Sequence, residues 1–329
     1  MNRRESIPVT IVSGFLGAGK TTLLNRILSS DHGLRMAVMV NDFGAINIDS
    51  QLIVSQTQTM VSLANGCICC TVESDLIEQL GRLLENRENR PEYIVIEASG
   101  VSNPSKIAST LRYPQFRNAL NIDSILTLVD AEQFEHLEGD MAQLAMEQLN
   151  VADIIVVNKT DRVSRQQLDA LQARWFYPRA RVLESRYGDV PFELVLGVGR
   201  FDPELRFKPV LNAASSSLGP GRTGLPDHGA LFDTWSWSSD RPLSLKALRH
   251  ALAALPSAVY RAKGVCNIAE VPGRRCILHL VGSRSEISPA EQWREGSTPY
   301  TQVIVIGKRG AIDADSLQVA FDRCIHGMS

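Results

Sequence analysis

Gly14-Phe15-Leu16-Gly17-Ala18-Gly19-Lys20-Thr21 satisfies the pattern G-x-x-x-x-G-K-[ST] at every fixed position. Glycines free a backbone to turn its N–H groups inward around phosphate oxygens, and the N-terminus of a following helix adds a positive dipole. In that arrangement Lys20 reaches the β- and γ-phosphates and the Thr21 hydroxyl is a Mg²⁺ ligand. Gly14, Gly17, Ala18, Gly19 and Thr22 complete the expected cradle. The alternative is a chance glycine turn. The apolar run before the loop and the stretch TLLNRIL after it supply the strand and helix that phosphate binding needs.

Asn158-Lys159-Thr160-Asp161 follows another apolar run. A carboxylate at Asp161 can accept hydrogen bonds from guanine N1–H and the 2-amino group. Adenine offers neither in that geometry, which leaves the carboxylate unpaired at a cost of roughly 1–3 kcal/mol. The Lys159 stem can cover the base plane, and Asn158 can bridge to the base or brace the phosphate loop. The alternative is an ordinary turn in which Asp161 caps the next helix.

Two further stretches offer carboxylates. In Glu97-Ala98-Ser99-Gly100, Glu97 can hold a Mg²⁺ water or orient the attacking water, and Gly100 lets the backbone approach the γ-phosphate. Asn41-Asp42-Phe43-Gly44 leaves the second expected strand, and Asp49 lies in the polar segment beyond it. Asp49 is either a second Mg²⁺ and catalytic position or a turn residue. Lys20, Glu97 and Asp49 are therefore the expected catalytic set.

Of the 6 cysteines, Cys67, Cys69 and Cys70 crowd into Gly66-Cys67-Ile68-Cys69-Cys70. Such neighbours make poor disulfide partners and good ligands for Zn²⁺, Co²⁺ or Cu⁺. These thiolates fall short of a closed tetrahedral site. The fourth ligand must be water, a distant side chain, a nucleotide oxygen or a partner protein, and an open position suits metal in transit. The alternative is a group of buried structural cysteines. Cys266, Cys276 and Cys324 sit singly in regular stretches and read as core, while His32, His136, His250, His279 and His326 are scattered.

To bring these motifs together the chain needs alternating strands and helices. Strands are expected at Ile7–Ser13, Met36–Asn41, Met60–Ala64, Tyr93–Glu97, Ser124–Asp130, Ile154–Asn158 and Arg181–Leu183, with helices near 20–30, 72–88, 131–149 and 164–175. That alternation implies an α/β domain with a mostly parallel sheet, whose ligands bind at the carboxyl ends of the strands. The expected boundaries are a nucleotide-binding domain at 1–207, a Gly/Pro/Ser-rich flexible linker at 208–229, and a small α+β domain at 230–329. In the last, strands at Leu231–Trp237, Val259–Ile268, Arg275–Val281 and Thr301–Ile306 accompany helices at Leu243–Leu255 and Asp313–Ile325.

With 34 basic and 36 acidic side chains, nothing marks a polyanion-binding surface, so nucleic acid is not an expected partner. No apolar run is long enough to span a membrane, and the first one leads directly into the glycine loop, unlike a signal peptide. A cytoplasmic location follows as an expectation. The oligomeric state is open, a homodimer being one permitted assembly.

Taken together, these motifs resemble the CobW-type metal-handling GTPases, relatives of the UreG and HypB maturation proteins. The resemblance runs through GFLGAGKTT, NDFGAINID, GCICC, EASG, NKTD, SRYGD at 185–189 and RAKGV at 261–265, nearly the whole chain. It implies a P-loop fold with a ferredoxin-like second domain. It also implies slow GTP hydrolysis coupled to delivery of a divalent metal, Zn²⁺ most often and Co²⁺ or Fe²⁺ in some branches, to a client metalloprotein. Cys67, Cys69 and Cys70 would carry that metal near the nucleotide phosphates. Many members place glutamates around the NxFG segment where this chain has Val40 and Ala45, and a histidine-rich run between domains where it has only His228. Two other readings remain: a GTP-dependent interaction switch with structural cysteines, and a small-molecule kinase, against which the NKTD motif argues.

Overall fold

Runs of Val and Ile with no polar alternation need cover on both faces, and a parallel sheet provides it. In the computed structural model, which describes residues 6–30, 33–41, 59–63, 71–85, 90–178, 180–196, 232–294 and 296–327, such runs build a 7-stranded sheet. The Asp42–Gly44 segment, Asp49, the Gly66–Cys70 cluster and the expected linker at 208–229 lie outside the described residues. The chain divides into two units, Met1–Val198 and Gly199–Ser329.

The first unit runs β1 (Ile7–Gly14), α1 (Lys20–Ser29), β2 (Met36–Asn41), β3 (Thr59–Leu63), α2 (Thr71–Glu85), β4 (Tyr93–Glu97), α3 (Pro104–Leu111), β5 (Leu120–Asp130), α4 (Gly139–Asn150), β6 (Ile154–Asn158), α5 (Arg165–Trp175), β7 (Val182–Glu184) and α6 (Phe192–Val195). The order across the sheet is β3-β2-β4-β1-β5-β6-β7, every pairing parallel. Right-handed crossovers place helices that carry the chain in opposite directions on opposite faces. Accordingly α1, which carries the chain from β1 toward β2, lies opposite α2–α5, which carry it back. Leu76, Leu80, Ile107, Leu111, Ala145, Leu149, Leu168 and Leu171 of α2–α5 form the core on that second face.

Two local expectations are corrected. Helix α3 was missing from the sequence reading, although Asn103 accepts from Ser105 N as its cap and Pro104 stands at its first position, both start signals. Helix α4 starts only at Gly139, because Asp130 Oδ1 accepts from the backbone N–H of Glu132 and Gln133 and holds the segment after β5 in a turn.

The second unit contains β8 (Phe232–Ser239), α7 (Leu245–Ala254), β9 (Val259–Asn267), β10 (Arg274–Val281), β11 (Arg284–Gln292), β12 (Thr301–Lys308) and α8 (Ala314–Asp322). Its 5-stranded antiparallel sheet has the order β11-β10-β9-β12-β8. The parallel pair β8 and β9, joined by α7 with β12 between them, is the split β-α-β feature that ferredoxin-like domains share. Leu248, Leu252, Leu317 and Phe321 of its helices pack on Trp237, Cys266, Leu278, Val303 and Val305. Strand β11 escaped the sequence reading because Pro289 and its charged residues argue against a strand, yet at a sheet edge both are tolerated. Cys266 faces Cys276 across β9 and β10, and Cys324 is buried in the same core. Burial pushes the Cys266 thiol up to about 12 and Cys324 up to about 11, as inert core thiols require.

Candidate functional site

The loop from Gly14 to Gly19 joins the carboxyl end of β1 to α1. Gly19 stands at the N-cap of α1 with φ 101°, in the left-handed region, and a Cβ there would lie 2.3 Å from Asn158 Nδ2. Only glycine fits, and glycine brings no side chain to the first amides of α1. Those amides face the space where a phosphate would sit. Lys20 is 7% exposed, and its Nζ donates to Gly14 O at 3.0 Å and Phe15 O at 3.2 Å, which folds the cation back over the loop.

Asn158, at the end of β6, ties this loop to others. Its Nδ2 donates to Ala18 O at 2.9 Å, and its Oδ1 accepts from Gly188 N at 2.9 Å. The Ser185–Asp189 loop is held further by Arg26 of α1, whose Nε donates to Tyr187 O at 2.7 Å and whose Nη1 meets Asp189 Oδ1 at 3.1 Å. Thr160 N and Oγ1 both donate to Ser185 O. Lys159 adopts φ 61°, uncommon for a residue with a Cβ, and its Nζ lies 2.7 Å from Asp130 Oδ2. Asp161 is exposed. It does not cap α5: Ser164 does so, with Gln167 completing a capping box.

Glu97, 2% exposed at the end of β4, accepts from Thr21 Oγ1 at 3.3 Å. Beyond it, Ala98 N donates to Val12 O, and Ser102 N and Oγ donate to Ser99 O. The Gly100 backbone is pressed against the phosphate loop, such that a Cβ would come within 2.8 Å of Leu16 N.

The fold thus brings Gly14, Gly17, Ala18, Gly19, Lys20, Thr21, Thr22, Glu97, Gly100, Asn158, Lys159 and Asp161 to the carboxyl edge of one sheet. Asp49, Cys67, Cys69 and Cys70 lie outside the described residues. Sequence reasoning missed Asp130, although a charge ending a buried strand is the signal that singled out Glu97. It also missed Arg26, for which no local signal exists, and gave no role to Gly188, although the SRYGD stretch that holds it was singled out.

Comparison with known proteins follows this geometry. Residues 8–181 match the family described as CobW/HypB/UreG, nucleotide-binding domain, and residues 232–325 match the Cobalamin synthesis protein cobW C-terminal domain. The chain is 30% identical to the zinc-regulated GTPase metalloprotein activator 1 of Dictyostelium discoideum, over 90% of this chain and 70% of that protein. It is 29% identical to the zinc chaperone CobW of a Sinorhizobium species, over 92% of each. Among solved structures, the Zn(II)-bound YjiA GTPase of Escherichia coli aligns at 24% identity with a TM-score of 0.45, covering 98% of this chain and 99% of that one.

Proposed function

The chain belongs to the CobW/HypB/UreG family, and from that premise we propose that it is a GTP-hydrolysing metallochaperone that loads a divalent metal, zinc first, into a client metalloprotein. The observation that carries the nucleotide half is the uncapped start of α1, braced by Asn158 and overhung by Lys20. Its amides and cation would hold the phosphates, while Asp161 reads guanine and Lys159 covers the base.

Thr21 Oγ1 and Glu97 Oε1, 3.3 Å apart beside the phosphate cradle, are hard oxygen donors that fit Mg²⁺. When bound, the ion would supply neutralisation of phosphate charge. Glu97 orients the attacking water, Lys20 stabilises charge on the transferred phosphoryl group, and Gly100 marks the presence of the γ-phosphate. Asp49 is proposed as a further magnesium and catalytic position.

The metal half rests on Cys67, Cys69 and Cys70 and is supported by the zinc-related names of the relatives. Zinc is cargo in this reading, with Co²⁺ or Fe²⁺ as alternatives, and the client is a metalloprotein. A location in the cytoplasm is proposed with it; no helix among the described residues is long and apolar enough to cross a membrane.

The test is a Co²⁺ titration of reduced protein, read by thiolate-to-metal absorption with and without GTP and Mg²⁺. A band that disappears in the Cys67/Cys69/Cys70→Ser triple variant and tightens with GTP is the expected outcome. A band indifferent to both would leave a GTP-dependent switch without metal cargo.

A further inference from the structure

Gln148 of α4 is 1% exposed, and its Nε2 donates to two carbonyls of one neighbouring loop: Gly100 O at 3.2 Å and Ser102 O at 2.9 Å. Its backbone carbonyl accepts from Thr127 Oγ1 of β5 at 3.0 Å, which fixes the turn of helix that carries it. One residue earlier, Glu147 Oε2 accepts from Asn103 Nδ2 at 3.0 Å, a second tie between α4 and the end of the same segment. Burying an amide is costly unless it is hydrogen-bonded, and here the Nε2 group has two carbonyl acceptors, which an apolar side chain would leave without this donor. What the amide adds is direction.

That direction bears on the phosphates. A trans peptide carries its N–H opposite its carbonyl. The Ser99 carbonyl is held by Ser102 N and Oγ, and the Gly100 carbonyl by Gln148. The two peptide planes are therefore set, and with them the N–H of Gly100 and that of Val101, which donates to Ser99 Oγ at 3.5 Å. The same backbone is pressed against Leu16 of the phosphate loop.

We infer that Gln148 is a positioning residue for the triphosphate: through its two bonds to Gly100 and Ser102 it holds the loop after Glu97 in the orientation that reads the γ-phosphate. Recognition of GTP over GDP is then set from α4, a helix that contributes none of the expected nucleotide ligands. The inference rests on the GTPase reading given above.

The experiment compares full-length wild type with Gln148→Met, which keeps volume and loses both donors, and with Glu147→Ala, which cuts the neighbouring tie at a half-buried position. Affinities for GDP and for a non-hydrolysable GTP analogue are measured with Mg²⁺, together with kcat. For Gln148→Met, affinity for the analogue and kcat should each fall about tenfold while GDP affinity stays within about twofold, since the lost bonds act on the γ-phosphate loop. Glu147→Ala should move in the same direction by less. Parallel losses for GDP and the analogue would reduce Gln148 to packing and overturn the inference, as would unchanged or tighter binding of the analogue. Should Gln148→Met not fold, Glu147→Ala decides, and no selective loss there sinks the idea. A wild type that binds no guanine nucleotide would instead refute the underlying reading, before any variant is made.

Discussion

Helix α1 in the first unit and helix α7 in the second begin in opposite ways. At α7, Ser244 Oγ accepts from Ala247 N, and Glu270 takes the Leu245 N–H, so two of the first amides have side-chain partners within the protein. Helix α8 follows suit with Asp313 on the amides of Asp315 and Ser316. Helix α1 has a left-handed glycine in place of a cap, and a lysine folded back over the loop before it. Helix α4 also starts without a side-chain cap, so what marks α1 as an anion site is the combination of a left-handed glycine at its start with a lysine folded over the loop before it. Lys20, Glu97 and Asp130 sit at the carboxyl edge of the first sheet, whereas Asp153 and Arg181 are buried at its opposite edge and Arg261 in β9 of the second unit, so burial of charge alone does not mark the site.

The contrast is sharpest at Lys20. Lys20→Ala should lower kcat for GTP hydrolysis by ~10²–10³-fold, the usual loss when a donor to developing phosphoryl charge is removed, with the circular dichroism spectrum unchanged. A rate within threefold of wild type, roughly the noise of such comparisons, would mean that the open helix end is not where phosphate is held.

Asp161→Asn comes next. GTP affinity should fall by ~10–100-fold, and xanthosine triphosphate, whose C2 oxygen can accept from the new amide, should bind better than before. Retained GTP preference would remove Asp161 from base recognition.

The smallest effect belongs to the second unit. Ser244→Ala should cost about 1 kcal/mol in denaturant unfolding and leave nucleotide affinity untouched. The same cap has a pH dependence. The Leu245 N–H holds the Glu270 carboxyl below its ordinary range, so the ionised form is favoured in the folded state. Its stabilisation is present above the ordinary carboxylate pKa and is lost as pH falls through the depressed folded value. Glu270 is well exposed, so the expected change is a shallow acid limb that flattens in Glu270→Gln.

Much of this was legible in the residues themselves. The apolar runs fix β1, β2, β4 and β6, and the spacing of glycines before Lys20 gives the phosphate loop, because both are patterns among near neighbours in the chain. What stayed hidden depends on long-range pairing. The bond between Lys159 and Asp130, and that between Gln148 and Gly100, join residues far apart in the chain, and only the sheet order makes them neighbours. Strand β11 was illegible for a related reason: its identity comes from pairing with β10, while its composition is that of a surface.

Asn158 has a kinetic consequence. One side chain bonds the phosphate loop through Ala18 and the Ser185–Asp189 loop through Gly188, and Arg26 of α1 adds a second tie to the latter, so the two loops are coupled. Prising the 185–189 loop outward pulls on both at once. Spent nucleotide should therefore leave in one concerted step, and a partner that accelerates its departure need press on only one of the two loops.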